Sequence, residues 1–179
     1  MNEQQFLADI DRKAKLIASY ANSRFPAEAG NTALRFINGN FRAQGWQGKS
    51  FQQWSKSDKL KGSTLIKKGH LRAASYYVTT GAGSVTLRNT MPYAKAHNEG
   101  SYINAVQNVG AYTRKAHTRM QGGKLVKVRQ SVVNSHTRRL SFKMPRRQFF
   151  PTATSPSPVL NNAITRNIKR EFKQIFNNN

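Results

Sequence analysis

Apolar residues recur every three or four positions over residues 3–25, which is the spacing of an amphipathic helix. The stripe consists of Phe6, Ile10, Ala14, Ile17 and Ala21. Acidic residues lie early in this segment and Arg24 lies late, an order that favours the helix dipole. Because a proline disfavours the helical conformation of the residue before it, Pro26 predicts the end of this first helix.

Two further segments have helical spacing. One begins near Asn31 or Thr32, either of which is a good N-cap, and it places Leu34, Ile37 and Phe41 on one face. The other covers about residues 159–176, and its apolar stripe consists of Leu160, Ala163, Ile164, Ile168, Phe172, Ile175 and Phe176. The chain is therefore expected to have helices at both of its ends.

Alternating positions dominate the middle of the chain. Residues 69–79 run into β-branched and aromatic side chains, residues 81–84 supply a glycine-rich turn, and residues 85–88 alternate apolar with polar positions. This pattern predicts a β-hairpin. Pro92 and Gly100 then bracket a short helical turn or a corner. Residues 42–68, which mix aromatic, basic and glycine residues, predict a mostly ordered loop.

Residues 101–143 form a long basic stretch, with few turn signals other than Gly110, Gly122 and Gly123. Residues 124–129 alternate as a strand does, so a basic hairpin or arm projecting from the core is expected. Its candidate contacts with DNA or a partner protein are Arg114, Lys115, Arg119, Lys124, Lys127, Arg129, Arg138 and Arg139. For the pairs Arg138–Arg139 and Arg146–Arg147, a solvated surface and an anion contact fit the sequence equally well.

Together these elements predict an α+β fold: N-terminal helices, a small and mainly antiparallel β-sheet, and a C-terminal helix, with a long basic loop or β-arm. The 179 residues, of which 37% are hydrophobic, can bury one modest core. We therefore expect a single domain over residues 1–179 that contains the basic insertion at about 101–143.

The balance of charge adds a requirement for a partner. Lys and Arg number 30 against 7 Asp and Glu, a formal net charge of +23, and after Glu99 the only acid is Glu171. Because this self-repulsion destabilises a compact monomer, an anionic molecule or a neighbouring subunit is expected to offset it. Nucleic acid is the obvious candidate.

Composition excludes several classes of protein. No apolar run approaches the roughly 18 residues that cross a bilayer. The first residues lack the basic-then-apolar order of a secretory signal, so a protein made in a cytosol and kept off membranes is expected. The absence of cysteine excludes disulfide scaffolds, zinc fingers and thiol catalysis.

The residues that enzymes need are scarce. The seven acids form no evident carboxylate pair and none is placed to orient a histidine in an acyl-transfer triad, while the four histidines lack metal-ligand spacing. The tripeptide Gly48-Lys49-Ser50 lacks the upstream glycine of a phosphate-binding loop, because Ala43 stands at that position. We therefore expect a non-enzymatic protein without a cofactor or a metal.

Aromatic residues among the cations support a second hypothesis, a sequence-nonspecific nucleic-acid-binding protein. In that case Trp46, Trp54, Tyr102 and Tyr112 would stack on unpaired bases while Lys and Arg neutralise phosphates. No helix-turn-helix, zinc or RNP-type pattern accompanies them. The interpretation that we favour is that Trp46, Phe51 and Trp54 anchor their loop on the core.

Four segments in a fixed order resemble a known family. They are residues 41–46, 65–75, 92–100 and 144–150. A Trp-containing loop, a Gly-x-Leu-Arg element, a Tyr-Ala-x-x-His-x-x-Gly element and a Pro-x-Arg-x-Phe element follow one another before the final helix. This order resembles the phage virion morphogenesis family of tail-completion and head–tail joining proteins over about residues 3–176. The chain departs from the family pattern at residues 149–151 and in the longer, more basic segment 101–143.

The resemblance implies a small structural protein of a phage or prophage virion, acting in tail completion or in the head–tail neck and assembled in the cytoplasm of the bacterial host. The implied partners are other tail or neck proteins, such as the tail tube, terminator or connector. A homo-oligomeric ring and a contact with packaged DNA are implied as well. The motif residues are Trp46, Gly69, Leu71, Arg72, Tyr93, His97, Gly100, Pro145, Arg147 and Phe149.

Structural roles are expected for these motif residues. Gly69 is expected to supply a turn before a strand that contains Leu71, and Gly100 to adopt a positive φ. His97 is expected to hydrogen-bond the backbone across its corner, with a ligand role as the alternative.

The last motif is expected to join the core. Pro145 would fix the direction of the chain so that Phe149 and Phe150 are buried. Arg147 would stay exposed or pair with one of the few acids.

Overall fold

The computed structural model describes residues 2–56 and 62–177, which form an α+β fold as predicted. The chain divides into two compact units. One, the core unit, comprises Met1–Gly100 and Pro145–Asn179, and the other, the basic arm, comprises Ser101–Met144. The core unit contains the elements α1 (Glu3–Ala43), β1 (Gly45–Gln47), β2 (Phe51–Gln53), α2 (His70–Ala73), β3 (Ser75–Gly81), β4 (Ser84–Asn89), α3 (Ala94–Glu99) and α4 (Pro158–Asn177).

Helix α1 is continuous through Pro26, so the predicted helix end at this residue is wrong and the predicted second helix is the later part of α1. Its start is fixed by a capping box in which Asn2 and Gln5 exchange side-chain to backbone hydrogen bonds. A proline inside a helix removes one hydrogen bond and costs about 3 kcal/mol. Burial of Pro26 itself, with Tyr20 before it and Ala29 after it, supplies the packing that carries the helix past this position.

Helix α4 is confirmed at the predicted place and packs against α1. The buried carboxylate of Glu171 accepts two hydrogen bonds from the guanidinium of Arg24, at 2.7 and 3.1 Å. The amide of Asn167 donates to the hydroxyl of Thr32 at 3.0 Å. Since later residues of α4 contact earlier residues of α1, the two helices run antiparallel.

The core of this unit lies against the C-terminal part of α1. Its buried cluster consists of Ile37, Phe41, Trp54, Leu71 and Phe149. The ring of Phe41 lies 5.5 Å from that of Trp54 and 5.1 Å from that of Phe149, measured between centroids. The core therefore joins α1, the loop after β2, helix α2 and the segment that follows the arm.

The predicted β-hairpin is confirmed as β3 paired with β4, from Ser75↔Asn89 towards a turn at Gly81 and Ser84. It starts later than predicted, because His70–Ala73 form the short helix α2. The expectation that Leu71 lies on a strand is therefore wrong: its side chain is buried from a helical turn.

The predicted loop at residues 42–68 is partly regular. It contains a short antiparallel hairpin of β1 and β2, with Trp46 paired to Gln52. Residues 57–61 of this segment lie outside the described part of the chain. The predicted helical turn after Pro92 is confirmed as α3.

The basic arm is a nested antiparallel hairpin, as the alternating pattern predicted. Its strands are β5 (Ser101–Val109), β6 (Tyr112–Arg114), β7 (His117–Gln121), β8 (Lys124–Val128), β9 (Ser131–Val133) and β10 (His136–Met144). Strand β5 pairs with β10, β6 with β9 and β7 with β8, and one unshifted register runs from Ser101↔Met144 to Gln121↔Lys124. At about 3.4 Å per residue, each side of this ribbon extends about 70 Å along its contour.

Gly122 and Gly123 form the two-residue turn at the tip of the arm. Their φ angles are 59° and 77°, the left-handed values that a type I′ hairpin turn requires at both positions. In the core unit, β1 with β2 and β3 with β4 form two further small antiparallel sheets of two strands each. Within the described residues, no helix is both long enough and apolar enough to span a bilayer.

Candidate functional site

The cations of the basic arm lie on both of its faces. Paired residues in an antiparallel ladder share a face and successive residues alternate, so the register assigns each side chain to a face. One face carries Arg114, Lys127, Arg139 and Lys143. The opposite face carries Arg119, Lys124 and Arg138, while Lys115 and Arg129 lie in the unpaired steps between strands. The structure thus distributes the eight candidate contacts around a ribbon and does not gather them into one patch.

Two groups of these cations are close neighbours. Arg114 is paired with Ser131, and Arg129 stands two positions before Ser131 in the unpaired step between β8 and β9, with Lys127 on β8 just before it. Near the tip, Arg119 is diagonal to Lys124. Like charges at these separations repel, and residues 101–144 contain no Asp or Glu that could relieve them.

Polar contacts within the arm orient some of the cations without neutralising them. The Nε of Arg138 donates to the amide oxygen of Gln107 at 2.8 Å, and Arg119 donates to Gln121 at 3.0 Å. Both acceptors are uncharged amides, so every cation of the arm keeps its full charge available to an anion.

Apolar side chains are also exposed on the arm. At its tip, Met120 and Leu125 face each other across the ladder and are 66% and 73% exposed. No residue of the arm, all of which the structure describes, is buried. An acid-free ribbon of exposed cations and aliphatic side chains is suited to contact with another molecule.

The aromatic residues divide between the core and the surface. Trp46 and Trp54 are buried, which confirms that they anchor their loop, and the indole N–H of Trp54 donates to the carbonyl of Gln148 at 2.9 Å. Phe51, expected to anchor the loop with them, is 55% exposed and covers the backbone of Gly45. Tyr102 is exposed on the arm, as base stacking would require.

Several motif residues form the joint between α3 and the segment after the arm. Gly69 and Gly100 have φ angles of 74° and 76°, which confirms the predicted backbone conformation of Gly100 and fits the turn expected at Gly69. The backbone N–H of Arg147 donates to the carbonyl of His97 at 2.7 Å. Phe149 is fully buried, as expected, and Pro145 is exposed.

Two expectations for this joint are wrong. Arg147 is neither exposed nor paired with an acid within the described residues: its side chain is buried, and its Nε donates to the carbonyl of Ser55 at 3.0 Å. The Nδ1 of the His97 ring is buried without a hydrogen-bond partner among the described atoms, so this nitrogen does not make the expected bond to the backbone across the corner. Arg147 is therefore held by a neutral backbone acceptor as well as by burial, whereas the Nδ1 of His97 has no such partner among the described atoms.

The joint also depends on amide and hydroxyl side chains that the sequence pattern did not single out. The buried oxygen of Asn98 accepts hydrogen bonds from the N–H groups of Phe149 and Phe150, at 2.9 and 2.8 Å. The buried amide of Asn40 donates to the carbonyl of Phe149 at 3.2 Å. The hydroxyl of Ser157 accepts from the N–H of Leu160 at the start of α4. Only Ser157 carries a recognisable signal, since it stands where an N-cap would.

A cavity of about 470 Å³ lies beside this joint. Five motif residues line it: Gly69, Leu71, Tyr93, His97 and Arg147. The edge of the Tyr93 ring meets the His97 ring at 5.8 Å between centroids. The structure therefore brings residues from three of the four motif segments to one place.

Burial changes the pKa values of two side chains that line this cavity, His97 and Arg147. Desolvation lowers the pKa of His97 below its ordinary value near 6.5, and the nearby Arg147 cation lowers it further. Burial also lowers the pKa of Arg147, but a guanidinium stays charged in proteins. At neutral pH the site thus holds a neutral imidazole beside a buried cation.

Arg72 does not line this cavity but a separate cleft. It is exposed on α2 and lines a cleft of about 290 Å³ with Arg35, Asn38 and Arg42 of α1. No three acidic or histidine side chains in residues 2–56 and 62–177 come together as metal ligands would.

Comparison of the chain with protein-family models, with curated proteins and with solved structures finds no match.

Proposed function

We propose that this chain is a non-enzymatic structural protein of phage virion assembly that acts in tail completion or head–tail joining. The observation that carries the proposal is the meeting of its four motif segments around one core. Phe41, Leu71 and Phe149 belong to three of these segments and to one buried cluster, against which Ala94 of the remaining segment packs. A shared core supports treating the four motifs as parts of one fold.

The placement of the basic arm supports the same proposal. The arm lies between the third and fourth motifs and forms a compact unit of its own. The longer and more basic segment, which departs from the family pattern, therefore leaves the motif-bearing unit intact. We treat the chain as a virion-morphogenesis fold with an added ribbon.

The arm is the part that we assign to partner contact. Because it carries cations on both faces and no acid, it suits surroundings that are anionic on both sides. Packaged DNA in the neck, or the acidic face of a neighbouring tail or neck protein, would supply them. A homo-oligomeric ring of this chain would present several such arms around one opening.

A second candidate, sequence-nonspecific nucleic-acid binding, is favoured by the shape of the arm. The major groove of duplex DNA admits a two-stranded β-ribbon, and cations on both faces could reach phosphates on both walls of the groove. In this case the chain would bind DNA on its own, with a steep dependence on salt.

The two candidates differ in what the purified chain does with DNA. We would measure its mass by light scattering at about 0.15 M and about 0.5 M salt, with and without short duplex DNA. A ring that forms without DNA, or a monomer that ignores DNA at both salt concentrations, supports virion assembly. A monomer that loads onto DNA at low salt and leaves it at high salt supports the second candidate.

Matched charge variants identify the surface responsible. Arg114→Gln, Lys127→Gln and Arg129→Gln together remove three neighbouring cations from the middle of the arm. Lys169→Gln, Arg170→Gln and Lys173→Gln remove the same charge from the exposed side of α4. If the arm makes the contact, the first set weakens binding to DNA or to partner proteins much more than the second. Equal effects would show that only net charge matters.

A further inference from the structure

The cavity beside the joint differs in character from the arm. It is bounded by the turn at residues 64–71 on one side and by Tyr93, His97 and Arg147 on the other. Lys67, Lys68 and His70 stand exposed at its edge. No acidic residue is among the described residues that line it, so its charge is entirely positive or neutral.

Arg147 makes this cavity a place for an anion. The side chain is only 8% exposed, and no ion pair within the described residues includes it. Its Nε is used by the carbonyl of Ser55, a neutral acceptor. A buried cation without a counter-charge is costly, and a carboxylate that takes two parallel hydrogen bonds from a guanidinium is its best-matched partner.

The walls of the cavity are apolar. Leu65, Leu71 and the ring of Tyr93 line it. Leu65 has a φ of 64°, a strained conformation for a side chain with a Cβ, and the turn that contains it holds that strain at the wall of the cavity. A ligand therefore needs an apolar group next to its negative charge.

We propose that this cavity binds an acidic peptide segment of a partner protein, with a carboxylate on Arg147 and a neighbouring apolar side chain against Leu65, Leu71 and Tyr93. A nucleic-acid phosphate would satisfy the cation but leave the apolar walls uncovered. Lys67 and Lys68 would attract further acids of the same segment. The assignment rests on the proposed function only in taking the partner to be a virion protein.

The pKa of His97 is expected to change when the cavity is occupied. The ring of His97 lines the cavity together with the cations Arg147, Lys67 and Lys68 and with the imidazole of His70, and it meets the Tyr93 ring edge to face. A bound carboxylate would offset the repulsion between Arg147 and a protonated imidazole. Binding is therefore expected to raise the pKa of His97 and to strengthen as the pH falls towards the lowered pKa of the unoccupied site.

The test is a titration of the full chain, labelled with nitrogen-15, with the blocked peptide acetyl-Leu-Glu-Leu-amide to millimolar concentration. We expect chemical-shift changes at the backbone amides of Lys68, Gly69 and His97, with an upward shift of the His97 ring titration. The uncharged peptide acetyl-Leu-Gln-Leu-amide is expected to bind about tenfold or more weakly, since it loses a charge-assisted hydrogen bond.

Variants on the exposed edge avoid disturbing the fold. The double variant Lys67→Gln with Lys68→Gln is expected to bind the acidic peptide severalfold more weakly. The control, Lys169→Gln with Lys173→Gln on α4, removes the same charge at a distance from the cavity. Arg147→Lys keeps the buried charge and loses the planar fork, so it is expected to weaken binding without abolishing the fold.

Three results would overturn the proposal. The first is equal affinity for the Glu and Gln peptides. The second is the same set of shifts with inorganic phosphate at the same concentration, which would indicate a simple anion site. The third is an equal loss of affinity for the acidic peptide in the two double lysine variants. None of these results bears on whether virions assemble without the chain, so failure of this site and failure of the proposed function are separable.

Discussion

The side-chain oxygen of Asn98 accepts a 2.9 Å hydrogen bond from the backbone N–H of Phe149, 51 positions later in the chain. It also accepts from the N–H of Phe150, and Arg147 donates to the carbonyl of His97. Helix α3 precedes the arm and the segment with Phe149 follows it. These bonds therefore close the core unit at the two points where the arm is attached.

Loss of the Asn98 acceptor should destabilise the core unit. We expect Asn98→Ala to lower the free energy of unfolding by about 2–3 kcal/mol, because two N–H groups at the joint lose their partner. Asn98→Asp keeps an acceptor oxygen and should therefore lower the free energy of unfolding by less. Urea denaturation at constant salt measures both, and equal losses would contradict the role assigned to this oxygen.

Gly30 of α1 permits close contact with β3. A Cβ at this position would lie 2.5 Å from the Tyr77 ring, so the ring or the helix would have to move. Alanine usually stabilises a helix interior by about 1 kcal/mol over glycine. Here we expect Gly30→Ala to destabilise the protein by about 1–3 kcal/mol, as overpacking does. The control is Gly30→Ala combined with Tyr77→Ala, in which the penalty should disappear. A more stable single variant would show that the contact is not tight.

The core unit should fold without the arm. Ser101 and Met144 are paired, so residues 102–143 can be replaced by two glycines. Because no arm residue is buried, we expect the melting temperature, followed by circular dichroism, to change by at most about 5 °C. Loss of cooperative unfolding would show that the core unit depends on the arm.

The protonation of His97 should make stability depend on pH. Its pKa is lowered in the folded protein, so on acidification the unfolded chain takes up a proton first and is favoured. Stability is therefore expected to fall as the pH drops through 6.5, the ordinary value, towards the lowered one. His97→Gln should flatten this dependence in denaturation experiments between about pH 7.5 and about pH 5.5. His70→Gln, at the exposed edge of the same cavity, serves as the control, and an unchanged slope in His97→Gln would contradict the assignment.

Regular spacing made much of the fold predictable. Sequence periodicity predicted the right element in three places: the apolar stripe of α4, the alternating residues of β3 and β4, and residues 124–129 of the arm. In these elements side chains at regular intervals share one face, so the pattern is visible in the sequence. Pro26 was misleading because packing on both sides of it overrides a local preference.

The joint was less predictable, because its residues act through single hydrogen bonds and burial. Arg147 carries a charge and is nevertheless buried, against the usual preference of arginine for the surface. Asn40 and Asn98 are polar residues inside the core unit, and periodicity counts such residues as exposed. Leu71 lies on a helix of four residues, too short to show a period.

The proposed function requires that a phage or prophage encode this chain, and its most direct test is electron microscopy of the particles made after the gene for the chain is inactivated. We predict DNA-filled heads and tails that fail to join or to complete. The wild-type chain supplied in trans should restore infectious particles. A chain with glutamine at the eight candidate cations of the arm should not. Joined, infectious particles in normal number without the chain would contradict the proposal.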